Sequence, residues 1–288
     1  MVKQDLLTTI DERMPELSKG QKQIANYILA HYEKAAYMTA SKLGALVGVS
    51  ESTVVRFAIE LGFEGYPELQ RSLQELIRTK LTSFQRIEVA NNLIGDGDML
   101  EKVLNSDADR IRHTLESVDR EAFRIAVDKI IEARRIYIIG VRSSAALASF
   151  LSQNFQLIFD NVHFVQTTSG SEMFERIMRI GPGDVMIAIS FPRYSKRTIN
   201  AVEYAREAGA NVIAITDSVL SPIAQYANEL LTAQSDMVSF VDSLAAPLSL
   251  INAMLAAVSM KKQDELNVLF RRLERIWDEY DVYEKNHG

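Results

Sequence analysis

The sequence predicts an all-α N-terminal domain followed by an α/β domain built on a five-stranded parallel sheet flanked by helices. Three observations carry this. Through about residue 80 the apolar residues recur at helical spacing and no strand-like run occurs. Beyond residue 132 short β-rich runs alternate with helix-length segments, the pattern of a parallel sheet covered on both faces. Between the two regimes Gly95-Asp96-Gly97-Asp98 breaks any regular element. The expected domains are 1–80 and 99–288, joined by a linker over 81–98.

Each element has its own signal. Ser18 can cap a helix in which Ile24, Tyr27, Ile28 and Tyr32 share one face. A short helix over 41–47 follows, with Leu43 and Leu46 as its apolar residues, and a third over 51–61, where Val54, Val55 and Ile59 supply contacts. A fourth starts at Pro67, a favoured first helical position. After the linker come helices over 99–117 and 120–132, then strands over 136–139, 162–165, 185–189, 212–215 and 229–231. A final amphipathic helix occupies 266–284.

Bulk properties narrow the function. The chain has 288 residues, 47% hydrophobic and 24% charged, enough for two ordinary cores. No apolar run reaches the ~18 residues of a membrane span, since Pro247, Ser249 and Asn252 interrupt the longest one, 244–258. The N-terminal stretch carries acids and no apolar signal core, so a cytoplasmic protein without membrane association is expected. The absence of cysteine excludes disulfides, thiolate zinc sites and cysteine nucleophiles. Four scattered histidines (His31, His113, His163, His287) suggest no metal set, and no cofactor is implied. The net charge of −6 does not advertise a nucleic-acid binder. Residues 1–80 are balanced, with ten Lys+Arg and ten Asp+Glu, so any DNA affinity must come from a local face.

The segment from Met38 to Gln70 is the most specific signal. A short helix is broken at Gly48, where glycine can take the left-handed conformation that a turn requires. Val49 can plug the angle between helices, and Ser50 can cap the next. Two helices joined by a tight turn, the second presented to a major groove, make a helix-turn-helix. The candidate DNA contacts are Lys42 on the first helix and Ser50, Glu51, Ser52, Thr53 and Arg56 at the start of the second. Arg56 can donate a bidentate pair to guanine, and Ser52 and Thr53 can reach phosphates or bases. Glu51 repels phosphate but can accept from cytosine or support the helix dipole. The plain alternative is a helical hairpin with polar surface residues.

The run Ser50-Glu51-Ser52-Thr53-Val54-Val55-Arg56-Phe57, then Leu61-Gly62-Phe63 and Gly65-Tyr66-Pro67-Glu68-Leu69, resembles the N-terminal domain of RpiR-family regulators. That family pairs this domain with a sugar isomerase (SIS) domain. The resemblance therefore implies a transcription regulator that binds a double-stranded DNA operator and responds to a sugar phosphate. The expected function is a repressor of a carbohydrate-metabolism operon.

The second domain tests the idea. Hydroxyl residues sit just beyond four expected strands: Ser143 and Ser144; Thr167, Thr168, Ser169 and Ser171; Ser190, Ser195 and Thr198; Thr216 and Ser218. In a parallel α/β sheet these turns line one edge, where hydroxyls and free N–H groups at helix starts make an anion site. Gly140 and Gly170 permit close approach. Any one turn is equally explained as a routine helix cap. The runs around Gly140 and Ser144, around Asp184, Ser190, Ser195 and Thr198, and Ile215-Thr216-Asp217 with Ser221-Pro222-Ile223-Ala224 are similar to SIS motifs. That similarity implies phosphate contacts from Ser144, Ser195 and Thr198, with Ser143 and Ser190 secondary. It also implies self-association as homodimer or homotetramer through this domain, for which the apolar stretch 244–258 is a candidate surface.

Two departures stand out. Arg142 occupies the place of the family's usual second glycine, and the third loop is longer, with Arg193, Lys196 and Arg197 around Ser195. These four cations either make the pocket mouth suited to a more anionic effector, one bearing a carboxylate as well, or face solvent or a neighbouring subunit. The alternative function is a phosphosugar isomerase with an accessory helical domain. Isomerisation needs a positioned base, and Glu172 is the one acid near an expected ligand loop, where it equally suits a helix's first turn. Where the resemblance to SIS isomerases implies a catalytic Glu or His on the late helices, this sequence has Ser239, Phe240, Val241, Asp242 and Ser243 and no obvious base, so no catalytic residue is assigned. A nicotinamide enzyme is weaker still, because the first turn lacks three glycines and no acid ends the second strand.

Overall fold

Capping and apolar spacing fix the front helices. The computed structural model describes residues 6–80, 86–87, 98–166, 169–237 and 241–283. The expected linker lies outside these residues except at 86, 87 and 98, as do Thr167, Thr168, Ser239 and Phe240. The chain divides into two compact units, residues 1–97 with 237–241, and residues 98–236 with 242–288.

In the first unit α1 (Leu6–Arg13) and a 3-10 turn precede α2 (Lys19–Ala35), α3 (Ala40–Val47), α4 (Glu51–Glu60) and α5 (Tyr66–Lys80). Ser18 starts α2 with a capping box: its hydroxyl accepts from the Gln21 N–H, and the Gln21 side chain accepts from the Ser18 N–H at 2.9 Å. The core gathers Ile24, Ile28, Leu43, Val54, Phe57 and Leu69. Along α4 the buried set is Val54, Phe57 and Ala58, so the helical period turns Ile59 outward, 53% exposed. Leu46 of α3 is 54% exposed for the same reason. These two residues do not supply the contacts their hydropathy suggests.

The turn after α2 leaves carbonyls without helical partners, and α5 satisfies them. The Tyr66 hydroxyl donates to the Met38 carbonyl at 2.8 Å, Gln70 Nε2 to the same carbonyl at 2.9 Å, and Gln74 Nε2 to that of Ala36 at 2.9 Å. Burial pushes the Tyr66 hydroxyl up to about 12, so it stays a donor at any physiological pH.

The second unit opens with α6 (Met99–Ser117) and α7 (Arg120–Glu132), capped by Asp98 and Asp119. There follow β1 (Arg135–Gly140), α8 (Ser144–Ile158), β2 (Val162–Val165), α9 (Gly170–Ile177), β3 (Asp184–Ile189) and α10 (Lys196–Glu207). The chain continues through β4 (Asn211–Thr216), β5 (Glu229–Thr232), α11 (Ala245–Lys261) and α12 (Gln263–Glu279). The strands form one parallel sheet in the order β2-β1-β3-β4-β5. Alternate residues face opposite layers. Ile136, Ile138, Ile187 and Ile213 pack under α7, α8 and α11, while Tyr137, Ile139, Met186 and Val212 pack under α9 and α10. The apolar stretch 244–258 is thereby used within the chain: Leu250, Ile251, Met254 and Val258 are buried in its own core. Among the described residues no helix is long and apolar enough to cross a membrane.

At the amino edge of the sheet Asp184 is fully buried and takes a bidentate pair from the Arg134 guanidinium, both bonds 2.8 Å, plus the Gly181 N–H at 3.0 Å. Burial pushes the Asp184 carboxyl up, but Arg134, the Gly181 N–H and Arg135 outweigh it and hold the group below the ordinary carboxylate range. A depressed acid contributes stability that is present above the unfolded pKa, near 3.9, and lost as pH falls through the folded value. Asp184→Asn is therefore expected to lower the Tm by roughly 5 °C at pH 7, the guanidinium being half exposed and its pair correspondingly weaker than a fully buried one. The deficit should shrink in melts below about pH 4; a constant deficit would contradict the ionic role.

Candidate functional site

The first candidate site is the turn between α3 and α4. Thr39 caps α3 by accepting from the Lys42 N–H at 3.2 Å. Gly48 ends that helix at φ 76°, and the Val49 N–H donates back to the Gly44 carbonyl at 2.8 Å. Gly44 carries the close approach: a Cβ there would lie 2.8 Å from the Val49 carbonyl oxygen. Val49 is half-buried against the core, as its plugging role requires. Ser50 then caps α4, accepting from the Thr53 N–H at 3.3 Å, and its hydroxyl also lies 2.9 Å from those of Ser52 and Thr53. Lys42, Ser50, Glu51, Ser52 and Arg56 are exposed and Thr53 is half-buried, so the structure brings these sequence candidates onto the start of α4 and the adjoining face of α3. Ser50 has a structural duty as cap. Arg56 uses Nε on the Ser52 carbonyl at 3.3 Å, which aims its guanidinium along the exposed side of the helix.

The second candidate site is the carboxyl edge of the sheet. Strand order reverses beside β1: β2 pairs on one side and β3 on the other, with Gly140 level with Ile189. The loops leaving β1 and β3 must therefore diverge and leave a crevice between them, the place where open α/β sheets bind ligands. Ser143, Ser169 and Ser195 stand at the N-caps of α8, α9 and α10, yet none makes a side-chain cap hydrogen bond. Ser18, Thr39, Ser50, Asp98 and Asp119 all do so at their own helices. No side-chain cap covers the partial positive charge at the starts of α8 and α10, although at α8 the Ala145 and Ala146 N–H groups donate to the Arg142 and Ser143 carbonyls at 3.0 and 3.3 Å.

Buried hydroxyls accompany these open ends. Ser144 is 3% exposed, Ser190 4% and Thr198 1%. The Thr198 hydroxyl has no hydrogen-bond partner although it is shut off from solvent, and such an orphan costs about 1–3 kcal/mol. Arg142 and Arg193 both adopt φ 61°, the left-handed region, which costs a non-glycine residue about 1–2 kcal/mol. This explains why a glycine suits the position of Arg142 in the motif it resembles, and it places a strained, exposed arginine on each of the two loops that flank the crevice. Lys196 is exposed and Arg197 half-buried at the start of α10. Gly140 admits its own helix rather than open space: a Cβ there would lie 2.5 Å from the Ser144 carbonyl oxygen.

The sequence reasoning overlooked two features here. The Tyr194 hydroxyl donates to Asp217 Oδ1 at 2.8 Å, and the Thr216 hydroxyl reaches the same oxygen at 3.2 Å, tying the β3 loop to the β4 loop. Ser221 is buried with an unpartnered hydroxyl, and its signal was the Ser-Pro-Ile-Ala match. Glu172 pairs with Arg176 one turn on at 2.7 Å, an ordinary helix-surface ion pair. Among the described residues no cluster of three or more acids or histidines could hold a metal. A cleft of about 390 Å³ lies elsewhere, lined by Ile111, Leu115, Phe123 and Leu250, and its apolar walls do not suit a phosphate.

A helix-turn-helix joined to a five-stranded SIS-type sheet defines a DNA-binding transcriptional regulator. The profile "Helix-turn-helix domain, rpiR family" matches residues 4–80, and the profile "SIS domain" matches residues 129–257. The front of the chain thus matches the rpiR-family helix-turn-helix and the second domain the SIS domain, the two-domain pairing of an RpiR-type transcriptional regulator. It is similar to an HTH-type transcriptional regulator of Haemophilus influenzae, 26% identical over 284 residues, 93% of this chain and 97% of that protein. It is likewise similar to the regulator HexR of Escherichia coli, 26% identical, covering 90% of this chain and 89% of HexR. The sugar isomerase domain of an RpiR transcription factor from Sphaerobacter thermophilus superposes with TM-score 0.59 at 27% identity, over 62% of this chain and 99% of that one. The NanR protein of Vibrio vulnificus, solved with ManNAc-6P, superposes with TM-score 0.60 at 20% identity, over 97% of this chain and all of that one.

Helix propensity alone expects Gly44→Ala to stabilise α3 by up to ~1 kcal/mol. The contact with Val49 expects the opposite. The variant should lose roughly 1–3 kcal/mol as the turn is forced open, with DNA binding falling in parallel. Chemical denaturation and a gel shift on the same preparation decide between the two.

Proposed function

We propose that the chain represses a carbohydrate-metabolism operon in the cytoplasm, and that a sugar phosphate held at the crevice between β1 and β3 sets its affinity for the operator. Residues 1–80 act as the reading head, and residues 99–288 as the sensing and pairing domain. One observation carries the reading: at the strand-order reversal, serines at N-caps leave helix starts uncapped while the buried Thr198 hydroxyl lacks a partner. A phosphomonoester supplies the acceptor oxygens that such a place lacks. The ManNAc-6P bound to the structurally similar NanR supports the ligand class. Ser144, Ser195 and Thr198 hold the phosphate, with Ser143 and Ser190 behind them. The two left-handed arginines, Arg142 and Arg193, with Lys196, extend the positive rim and favour an effector that bears a carboxylate beside its phosphate.

On DNA, Arg56 reads a guanine edge, Ser52 and Thr53 contact bases or phosphates, and Lys42 clamps the backbone. Glu51 accepts from cytosine or supports the dipole of α4. One head covers one half-site, so two chains bind together with half-sites about one DNA turn apart or a multiple. The effector favours one arrangement of the paired chains and thereby shifts the population that grips the operator.

Two measurements test this. Thr198→Val removes a hydroxyl that lacks a partner, so the ligand-free protein should melt at the same or a higher temperature while the stabilisation given by phosphosugars disappears. A lower ligand-free Tm, or an undiminished ligand shift, contradicts the role of Thr198, and silence of the wild type toward every phosphosugar in a thermal-shift panel contradicts the site. Arg56→Ala should cost about 1–3 kcal/mol of specific binding in a gel shift on the upstream DNA. Retained operator preference in that variant contradicts the assignment.

A further inference from the structure

The apolar cleft of the second unit has a single charged side chain in its lining. Ile111 and Leu115 of α6, Phe123 of α7, and Leu250 and Ala253 of α11 form its walls. They bound about 390 Å³, within the ~300–1,000 Å³ of ordinary small-molecule pockets. The hollow follows from the sequence, because Ala246, Ser249 and Ala253 are too short to fill the space between α11 and its neighbours α6 and α7. Two hydroxyls reach the lining, and both are engaged with backbone. Thr114 accepts from the Gln234 N–H at 2.9 Å, and Ser249 donates to the Ala245 carbonyl at 2.9 Å. Ile111 and Leu115 are left 40% and 59% exposed at a concave surface.

The charged residue is Arg120, exposed at the first position of α7. Of the four arginines on α6 and α7, three already hold acids: Arg110 on Asp107 at 2.9 Å, Arg112 on Asp109 at 2.8 Å, and Arg124 on Glu121 and Asp128. Among the described residues Arg120 holds none. The acids near it are turned elsewhere. Asp119 spends its carboxylate on the Glu121 and Ala122 N–H groups, Glu121 pairs with Arg124, and the helical period carries Glu116 away from the wall of Ile111 and Leu115. α11 contains no acid at all.

We propose that this cleft is a second ligand site, which takes an amphiphile with one apolar tail and one carboxylate. The tail lies between α6, α7 and α11, and the carboxylate meets the Arg120 guanidinium, whose paired N–H groups match its geometry. Charge complementarity selects this occupant. A purely apolar partner would bury Arg120 without an acceptor and forfeit its hydration, whereas a tail ending in an anion fills the hollow and satisfies the cation together. The lining shares no residue with the sheet-edge crevice, so the inference holds whether or not a phosphosugar binds there.

Calorimetric titration of the full-length protein with decanoate, octanoate and decanol tests it. Decanoate is expected to bind once per chain. Octanoate, shorter by two methylenes, should bind about tenfold more weakly, and so should decanol, which has the tail without the charge. Arg120→Gln should bring decanoate down to the level of decanol and leave decanol unchanged. Ala253→Phe, at an exposed position, fills the cleft from its rim and should abolish binding of all three while the ligand-free Tm holds or rises. Absence of decanoate binding, uptake that does not saturate at one per chain, an unaltered Arg120→Gln, or binding that survives Ala253→Phe would each overturn the proposal. So would light scattering in which Ala253→Phe splits a ligand-free dimer into single chains, since a second copy would then cover the cleft. Neither DNA nor a phosphosugar enters the readout.

Discussion

The reversal of strand order beside β1 is the constraint on which the rest of the second domain depends. Parallel strands need crossover helices, and those after β1 and β3 leave on opposite faces of the sheet. Their first turns therefore part above the sheet edge, and α8 and α10 present their N-termini to one crevice. Gly140 makes this possible on one side, because only a residue without Cβ lets the first turn of α8 settle on the strand end. The Arg134–Asp184 pair holds the opposite edge of β3 to the chain before β1, so the two strands that bound the crevice are anchored at their far ends.

The same physical device is used in opposite senses in the two units. In the helical head Ser18, Thr39 and Ser50 close their helix starts, and Tyr66, Gln70 and Gln74 close the carbonyls of the turn after α2. At these helix ends the unit satisfies its own polar groups, which leaves the exposed start of α4 a preformed surface. At the sheet edge the serines stand in capping positions without capping, and the Thr198 and Ser221 hydroxyls are buried without partners. In the proposed reading an anion completes this arrangement, and that gain is the differential a sensor needs, because a ligand shifts an equilibrium only by what it adds to one state over another.

Much of this was legible in the sequence. Every expected strand is present, with bounds that differ by no more than one residue at either end, because β-rich runs between helix-length segments leave little freedom in register. The turn chemistry of Gly48 and Ser50 was equally plain. Facing was less so. Leu46 and Ile59 are apolar yet exposed, since the helical period and not hydropathy decides which side of α3 and α4 meets the core. For the stretch 244–258 apolarity alone did not say which residues the same chain covers; the structure buries Leu250, Ile251, Met254 and Val258 in its own core.

By itself the sequence determined the order of elements, the two-domain plan, the helix-turn-helix and the set of hydroxyl-bearing turns, because each is written in spacing over a few neighbouring residues. Only the tertiary structure decided which of those turns stay uncapped, that Arg142 and Arg193 share a left-handed backbone, that Tyr194 reaches Asp217, and which side of α11 fills the core. These depend on contacts between residues far apart in the chain and on backbone conformation, and local pattern fixes neither.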